Sequence, residues 1–296
     1  MTTLGARARD FANLVVLAHA VFALPFALLS LLVATGGWPP LRLWSLCVVA
    51  VVAARTAAMA WNRWADRDLD AQNPRTQRRE IPRGAVTPRQ ALALALGAGA
   101  VFVLCCALLG PRCRIGALPV LAWLFGYSLS KRFSALCHLW LGASLGLAPA
   151  AAYVAALDVV GEAAVPWHAP LLLGLGVTAW VAGFDILYAC QDEAFDRRVG
   201  LHSVPVRLGT RRALWLSRGL HVAAVLLFAA FGVVARLGPG YALGVTLAGA
   251  LLLWQQRALR PATVATLKPG FFLANGMLSV GMLACGAADV YFGAAG

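Results

Sequence analysis

Acidic residues are scarce in this chain, and most of them lie in two short segments. The chain has 12 aspartates and glutamates among 296 residues, and 61% of its residues are hydrophobic. The segment 61–84 reads WNRWADRDLDAQNPRTQRREIPRG, and the segment 183–200 reads GFDILYACQDEAFDRRVG. Carboxylates gathered in a chain otherwise poor in charge predict a site for cations, or for a substrate that arrives with cations. The acidic residues concerned are Asp66, Asp68, Asp70 and Glu80 in the first segment, and Asp185, Asp192, Glu193 and Asp196 in the second.

Helical spacing aligns the polar side chains of the first segment. An α-helix turns by about 100° per residue, so side chains four positions apart differ by only about 40°. Asn62, Asp66 and Asp70 therefore share one stripe, whereas Asp68 points to the opposite side. Arg55 lies seven residues before Asn62 and extends the same stripe. The spacing predicts a column of oxygen ligands with an arginine beyond its end.

The second segment repeats this arrangement. Asp185, Asp192 and Asp196 share a stripe, with Tyr188 between them. Like charges four residues apart on a helix repel one another, so a column of aspartates needs a positive partner. Mg²⁺ takes carboxylate oxygens and shares the phosphate oxygens of substrates. Two such columns facing each other predict Mg²⁺ ions that bridge to a diphosphate. The predicted metal ligands are Asn62, Asp66, Asp70, Asp192 and Asp196.

A second interpretation of these segments is two solvated loops whose acids pair with neighbouring arginines. We prefer it for Asp68, Glu80 and Glu193. For the aspartates in helical phase we prefer the metal interpretation, because they recur at matched positions in both segments.

Cationic side chains near the two segments would neutralise the same diphosphate. Tyr127 and Lys131 lie four residues apart in GYSLSKRF, and Lys131 is either a diphosphate contact or an ordinary anchor at a membrane surface. Arg67 and Arg197, inside the acidic segments, are further candidates for diphosphate contact. Arg55 is singled out because an arginine within an apolar span is costly and usually functional.

The elements that must position these residues are membrane spans. Only 12% of the residues are charged and the mean hydropathy is +0.76, whereas a soluble domain has about a quarter of its residues charged. A helix that crosses a hydrocarbon core of ~30 Å needs roughly 20 apolar residues. We predict an all-α integral membrane bundle of about nine transmembrane helices, arranged as two four-helix halves plus a ninth helix. The predicted spans are 12–35, 41–61, 89–110, 115–131, 137–156, 169–190, 212–235, 239–256 and 271–291.

The distribution of basic residues predicts the orientation of the bundle. The net charge is +13, and most lysines and arginines lie on the side of the N-terminus and of the ends of the even-numbered helices. The positive-inside rule then gives a cytoplasmic N-terminus and an external C-terminus. Both acidic segments follow even-numbered helices, so they emerge together on the cytoplasmic side of what we expect to be the cell inner membrane. The basic surplus therefore reflects topology and lipid contact, not nucleic-acid binding.

Cysteines and histidines show no metal-binding pattern. None of the seven cysteines forms a CxxC pair, and we interpret them as small packing residues. His138, His168, His202 and His221 have no ligand-like partner near them in sequence and receive no metal role. The first apolar stretch is too long for a cleavable signal peptide, and nothing indicates a soluble domain, so we predict a single domain over residues 1–296.

The ordered motifs resemble those of the UbiA superfamily of intramembrane prenyltransferases. Its N-x-x-x-D-x-x-x-D motif matches Asn62 to Asp70, and its D-x-x-Y-x-x-x-D-x-x-x-D motif matches Asp185 to Asp196. Its Y-x-x-x-K motif matches Tyr127 and Lys131. The resemblance extends from roughly residue 15 to 212 in the correct order and includes the IPRG and GLHSVPVRLG endings. One departure is Arg63, where many members carry an aspartate, which leaves one metal ligand fewer.

The resemblance implies Mg²⁺-dependent transfer of a polyprenyl group from its diphosphate to an aromatic acceptor. The motifs look most like the bacterial 4-hydroxybenzoate polyprenyltransferase branch of ubiquinone and menaquinone biosynthesis. That branch includes proteins thought to prenylate 1,4-dihydroxy-6-naphthoate on the futalosine route to menaquinone, and both acceptors stay open. On this basis Arg55 is a candidate for the acceptor carboxylate. Asp185, beside Tyr188, is a candidate for orienting or deprotonating the acceptor. The motifs specify neither the prenyl length nor the oligomeric state.

Two other classes of membrane protein also place acids within apolar chains. A transporter predicts acids near the bilayer midplane and often an inverted repeat, whereas these acids follow the second and sixth spans. A membrane phosphotransferase using D-x-x-x-D would carry an Asp-Gly…Ala-Arg pattern before its aspartates, which this chain lacks.

Overall fold

The computed structural model describes residues 10–11, 14, 21–261, 264 and 269–292, and helices make up most of them. No strand occurs in those ranges. Several helices begin with proline in the first turn, where its fixed φ suits the helix and no backbone N–H is needed. The helices are α1 (Leu24–Thr35), α2 (Leu41–Ala65), α3 (Arg67–Gln72), α4 (Pro88–Leu109), α5 (Pro111–Ser130), α6 (Cys137–Val160), α7 (His168–Ala189), α8 (Glu193–Arg198), α9 (Val204–Leu208), α10 (Thr210–Val234), α11 (Pro239–Ala258) and α12 (Pro269–Phe292).

Seven described helices are long and apolar enough to cross a membrane: α2, α4, α5, α6, α7, α10 and α12. Each of the nine predicted spans coincides with a described helix, but α1 is described for only 12 residues and α11 does not reach the required hydropathy. Part of the predicted span 12–35 lies outside the described residues. The count of nine spans, the orientation and the single-domain boundary therefore stay predictions, whereas the all-helical membrane class is confirmed.

The outer surfaces of these helices are apolar. Leucines and isoleucines point outward along their length, including Leu96, Ile115 and Leu226, which are 56%, 75% and 64% exposed. Apolar surface of this extent is stable only against lipid tails or another protein. Helices that are neighbours in the chain also pack as neighbours, from α2 with α4 through α11 with α12, and α12 returns to α1.

The two acidic segments interrupt their helices in the same way. We expected continuous helical columns, but α2 ends at Ala65 and α3 begins at Arg67, with Asp66 between them at φ −97° and ψ 6°. Asp192 immediately precedes α8 and has nearly the same dihedrals, φ −99° and ψ 1°. The backbone bond from the Asp70 N–H to the Asp66 carbonyl, 2.8 Å long, keeps the four-residue spacing across the break. The stripe is therefore preserved although the helix is not.

The contact between α6 and α7 is close because glycines line it. A Cβ atom added to Gly142 would lie 2.3 Å from the Thr178 carbonyl oxygen, and one added to Gly146 would lie 2.4 Å from the Gly174 carbonyl oxygen. Small residues allow two backbones to approach until their main chains touch. This approach fixes how α6 and α7 are aligned along their axes. His138 lies at the start of α6, and Asp185 lies near the end of α7.

Two aspartates cap helices at the end of the bundle opposite the acidic segments. The carboxylate of Asp158, at the end of α6, accepts hydrogen bonds from the backbone N–H groups of Arg112 and Cys113 in the first turn of α5. The carboxylate of Asp289 does the same for Gly240 and Tyr241 in α11. First-turn N–H groups have no partner within their own helix, and the helix dipole favours an anion there. These acids are structural.

Replacing Gly142 with alanine tests the α6–α7 contact. Because the new Cβ meets backbone, the two helices must separate, and we expect Gly142→Ala to lower stability by about 1–3 kcal/mol. Thermal unfolding in detergent measures this change. Gly97→Ala is the matched control, since nothing lies within 4 Å of a Cβ at Gly97. Equal melting temperatures for the two variants would contradict the role of the close contact.

Candidate active site

The two acidic segments face each other across one polar cavity. Its volume is about 210 Å³ and it opens at the end of the bundle where α2 and α7 finish. We call it the polar cavity. The predicted site residues that line it are Asn62, Asp66, Asp70, Tyr127, Lys131, Asp185, Tyr188, Asp192 and Asp196.

Asp66 is held between its own helix and the end of α5. The Asn62 amide Nδ2 donates to Asp66 Oδ2 over 2.9 Å, as expected for two residues on one stripe. Arg132 Nη2 donates to Asp66 Oδ1 over 2.9 Å and to the carbonyl of Ala65 over 2.8 Å. Arg132 therefore neutralises the first aspartate of the first motif.

Asp70 is buried beneath the irregular chain that follows α3. Both of its carboxylate oxygens accept hydrogen bonds from Arg79 Nη1, over 2.7 and 2.8 Å. The hydroxyl of Thr76 donates to the Asp70 backbone carbonyl over 3.1 Å, which ties the same loop to α3. Arg79 and Thr76 both line the polar cavity.

Asp192 is where the two acidic segments touch. Arg75 donates two hydrogen bonds to the Asp192 carboxylate, from Nε to Oδ1 over 2.8 Å and from Nη2 to Oδ2 over 2.5 Å. The amide of Asn73 donates to Oδ1 as well, over 3.1 Å. Two-point arginine–carboxylate pairs are directional as well as strong. The first segment therefore supplies the partners of an aspartate in the second.

Asp196 pairs with the lysine of the Y-x-x-x-K motif. Lys131 Nζ lies 2.8 Å from Asp196 Oδ2, and the Asp196 side chain is only 1% exposed. The backbone N–H of Leu201 donates to the Asp196 carbonyl, and that of His202 donates to the Lys131 carbonyl, each over 2.8 Å. The segment after α8 thus fastens α5 to the second motif. Gly200, at φ +73°, allows the turn that brings this segment back.

Burial and pairing move the pKa values of these aspartates in different directions. Burial raises the pKa of Asp66 and of Asp196 above the ordinary value, although each has a cationic neighbour. Burial acts on Asp192 too, but the hydrogen bonds from Arg75 outweigh it and lower the pKa of Asp192. Asp66 and Asp196 are ionised at an energetic cost that a further cation in the cavity would reduce.

Asp185 lies deeper along α7 and pairs with a histidine. His138 Nδ1 lies 2.7 Å from Asp185 Oδ2, a contact between residues 47 positions apart that spacing in the sequence did not indicate. The other ring nitrogen, Nε2, accepts a hydrogen bond from the Val204 backbone N–H over 3.2 Å. Tyr188 packs edge-on against Phe184 and Phe271 and lines the cavity one turn from Asp185.

An apolar cavity of about 340 Å³ adjoins the polar one, and Tyr127 lines both. Its other walls are mainly alanine, valine and leucine side chains of α2, α5 and α6. Arg55 enters this apolar cavity, and its buried Nε has no hydrogen-bond partner among the described residues. A guanidinium without a partner in apolar surroundings is unstable unless an anion binds to it.

Two predicted diphosphate contacts do not line the polar cavity. Arg67 donates to the Trp64 carbonyl and lies over the Trp64 ring, because the break at Asp66 turns it outward. Arg197 pairs with Glu193 four residues earlier, in the i,i+4 geometry of a helix surface. Arg67 and Arg197 therefore lie outside the polar cavity, and their contact with a diphosphate stays a prediction. Glu193 has the surface pairing we predicted for it.

The cations that do line the cavity were mostly missed by sequence reasoning. Arg75, Arg79 and Arg132 were not selected, and neither was Asn73. Residues 73–86 form turns with no long helix, so helical phase gave no information about the direction of their side chains. The available signal was their density, since the first segment carries more arginines than topology requires.

The oxygen-rich lining fits a hard divalent cation. Carboxylates and one amide oxygen face the cavity, which is the donor type that Mg²⁺ prefers. Within the described ranges, no three His, Cys, Asp or Glu side chains converge tightly enough to hold an ion by themselves. Each ion would therefore take one or two carboxylates here and complete its shell with phosphate and water oxygens, as Mg²⁺ usually does.

Comparison with known proteins agrees with the motifs. The family model described as "UbiA prenyltransferase family" matches residues 23–276, which is most of the chain. The chain belongs to the UbiA prenyltransferase family. It is therefore a membrane prenyltransferase, and the transporter interpretation of its acids is set aside.

Two curated relatives of this UbiA-family chain carry the same name. The 4-hydroxybenzoate octaprenyltransferase of Aromatoleum aromaticum is 32% identical over 231 residues, covering 78% of this chain and 76% of the relative. That of Citrobacter koseri is 31% identical over 230 residues, covering 78% and 77%.

Solved structures of UbiA homologs have the same fold. The apo structure of a UbiA homolog from Aeropyrum pernix K1 is 33% identical with a TM-score of 0.79, covering 94% of this chain and 98% of that one. A UbiA homolog from Archaeoglobus fulgidus bound to GPP and Mg²⁺ is 20% identical with a TM-score of 0.72, covering 95% and 99%. At that identity the second similarity shows the fold alone.

Neutralising Arg79 tests whether the cavity holds an anion. We expect Arg79→Gln to weaken binding of inorganic diphosphate in the presence of Mg²⁺ by about 10- to 100-fold, the value of one charge-assisted hydrogen bond. Calorimetry in detergent measures the affinity. Arg78→Gln is the control, because Arg78 is exposed and does not line the cavity. Equal affinities in the two variants would show that Arg79 serves only to pair with Asp70.

Proposed function

We propose that this protein transfers a polyprenyl group from its diphosphate to a 4-hydroxybenzoate-type aromatic acceptor, with Mg²⁺, in quinone biosynthesis. The observation that carries the proposal is the joining of two cavities of opposite character at Tyr127. A charged cavity suits the diphosphate, and an apolar cavity containing one unpartnered arginine suits an aromatic carboxylate and a prenyl chain. The names of the curated relatives support the acceptor class.

The polar cavity is lined by five aspartates, of which Asp185 pairs with His138. Four aspartates are matched by Arg75, Arg79, Lys131 and Arg132. A diphosphate that arrives with Mg²⁺ brings both signs of charge, so it can exchange partners with these pairs. With Mg²⁺ bound, the carboxylates would hold the metal, and the arginines and Lys131 would be available to contact the diphosphate.

The cations of the polar cavity would assist the departure of the diphosphate from the prenyl group. Bound Mg²⁺ would be held by Asn62, Asp66, Asp70, Asp192 and Asp196, and it would stabilise negative charge on the diphosphate oxygens. Lys131 and the cavity arginines stabilise the same developing charge. The allylic C–O bond can then break with its electron pair remaining on the diphosphate.

The acceptor would lie between Arg55 and Asp185. Arg55 binds the acceptor carboxylate by a two-point contact, and the ring faces Tyr127 at the boundary of the two cavities. Asp185 lines the polar cavity and takes the acceptor proton. The apolar walls exclude water from the allylic cation and accommodate the prenyl chain.

Orientation in the membrane follows from the same charge distribution. We place the polar cavity at the cytoplasmic face of the cell inner membrane, because the end of the bundle that carries it is rich in arginine and lysine. Water-soluble Mg²⁺ and the aromatic acid would then enter from the cytoplasm and the prenyl chain from the bilayer.

Removing one charge from each motif tests the chemistry. In membranes supplied with Mg²⁺, a prenyl diphosphate and 4-hydroxybenzoate, we expect Asp66→Asn and Asp192→Asn to lower prenylated product at least about 100-fold. Mass spectrometry measures the product. Asp68→Asn is the control, because the Asp68 side chain is 79% exposed and its ion pair is with the neighbouring Arg67. Retained activity in both motif variants would refute the proposed metal–diphosphate site.

The proposed contact between Arg55 and the acceptor carboxylate predicts how the enzyme discriminates among acceptors. We expect Arg55→Ala to reduce transfer to 4-hydroxybenzoate or 1,4-dihydroxy-6-naphthoate about 10- to 100-fold more than transfer to the corresponding phenol without a carboxylate. Relative product yields measure this, and in the wild type they also show which of the two acids is preferred. Met59→Ala alters the same apolar cavity without removing charge, and should affect all acceptors alike. Equal losses in Arg55→Ala would contradict its contact with the carboxylate.

A further inference from the structure

His138 is buried at the start of α6 and points at Asp185. It is 2% exposed, and its Nδ1 lies 2.7 Å from Asp185 Oδ2. It also lines the polar cavity. Neither the motifs nor the metal–diphosphate site assigns it a role, so the contact requires its own explanation.

The contacts of the ring determine which nitrogen carries the proton. The Val204 backbone N–H faces Nε2 at 3.2 Å, and a backbone N–H can only donate. Nε2 must therefore carry a lone pair. A neutral imidazole has one N–H, so that hydrogen lies on Nδ1 and is donated to Asp185. His138 cannot itself serve as a base through Nε2, because that lone pair is already occupied.

This donation leaves one oxygen of Asp185 available. Oδ2 accepts the hydrogen bond from His138, whereas Oδ1 has no hydrogen-bond partner among the described residues. The Asp185 side chain is 27% exposed, toward the polar cavity. A hydrogen bond to one oxygen fixes the rotation of the carboxylate, so Oδ1 is presented in a defined direction.

The backbone around the pair makes close contacts. Gly142 lies one helical turn after His138 and touches the Thr178 carbonyl on α7. Cys137 and Val204 belong to segments linked by the hydrogen bond from the Cys137 thiol to the His202 carbonyl, over 3.6 Å. The ring is thus held by α6, by α7 and by the segment that follows the second acidic motif.

We infer that His138 is a positioning residue for the acceptor step, acting through Asp185. This rests on the proposed function. His138 holds the Asp185 carboxylate with Oδ1 facing the acceptor ring. The ring carbon beside the hydroxyl forms the new C–C bond with the allylic carbon, whose C–O electron pair has left with the diphosphate. The proton on that ring carbon passes to Oδ1 of Asp185 and then to water in the open part of the cavity.

Two substitutions at His138 separate this role from packing. Leucine removes both hydrogen bonds, whereas glutamine offers an amide N–H to Asp185 and a carbonyl to Val204. We expect His138→Leu to lower kcat about 10- to 100-fold, with KM for the prenyl diphosphate within about twofold of wild type. We expect His138→Gln to recover most of that loss. His168→Leu, at the far end of α7, is the control and should retain wild-type kcat.

A double-mutant cycle decides whether His138 acts through Asp185. If it does, His138→Leu has little further effect in an Asp185→Asn background, because the carboxylate that it positions is already gone. Losses that multiply in the double variant would overturn the inference, as would an unchanged kcat in folded His138→Leu. The melting temperature in detergent establishes folding. A wild type that makes no prenylated aromatic product would refute the proposed function instead, which keeps the two failures distinct.

Discussion

Four carboxylates lie at one end of an apolar bundle, and the structure depends on the cation that contacts each of them. An uncompensated charge at such a position would cost several kcal/mol. Arg75 and Asn73 of the first segment hold Asp192 of the second, and Lys131 of α5 holds Asp196. The helices are therefore brought together at this end by charge and not by apolar packing alone. The same pairs bring carboxylates, arginines and a lysine together in one cavity.

The sequence was sufficient to predict the features that repeat at regular intervals, namely the apolar spans and the four-residue spacing of the aspartates. A span of roughly 20 apolar residues must be helical because lipid offers no partner for the backbone, so the helices lie where hydropathy predicted them. Positions four apart remain aligned even across the breaks at Asp66 and Asp192. That is why the aspartate stripes could be predicted without knowledge of the fold.

Other features of the site depend on the path of the chain through turns and on contacts between distant helices, which regular spacing in the sequence does not predict. Arg75 and Arg79 lie on turns, where side-chain direction is set by the path of the chain. Arg67 was assigned to the site by proximity in sequence, but the break at Asp66 turns it away. The His138–Asp185 contact arises where α6 crosses α7, and the glycines that set this crossing lie one or more turns away from it. Local spacing carries no information about such a contact.

The position of Tyr127 between the two cavities matters beyond its membership of a motif. Its ring belongs to the walls of both cavities, so it separates a region that water can enter from one built of alanine, valine and leucine. In the proposed reaction an allylic cation can be captured by an aromatic ring on one side or by water on the other. One side chain thus lies on the boundary between productive transfer and loss of the prenyl group as an alcohol. In that reaction, the fidelity of the enzyme, as distinct from its rate, would depend on that boundary.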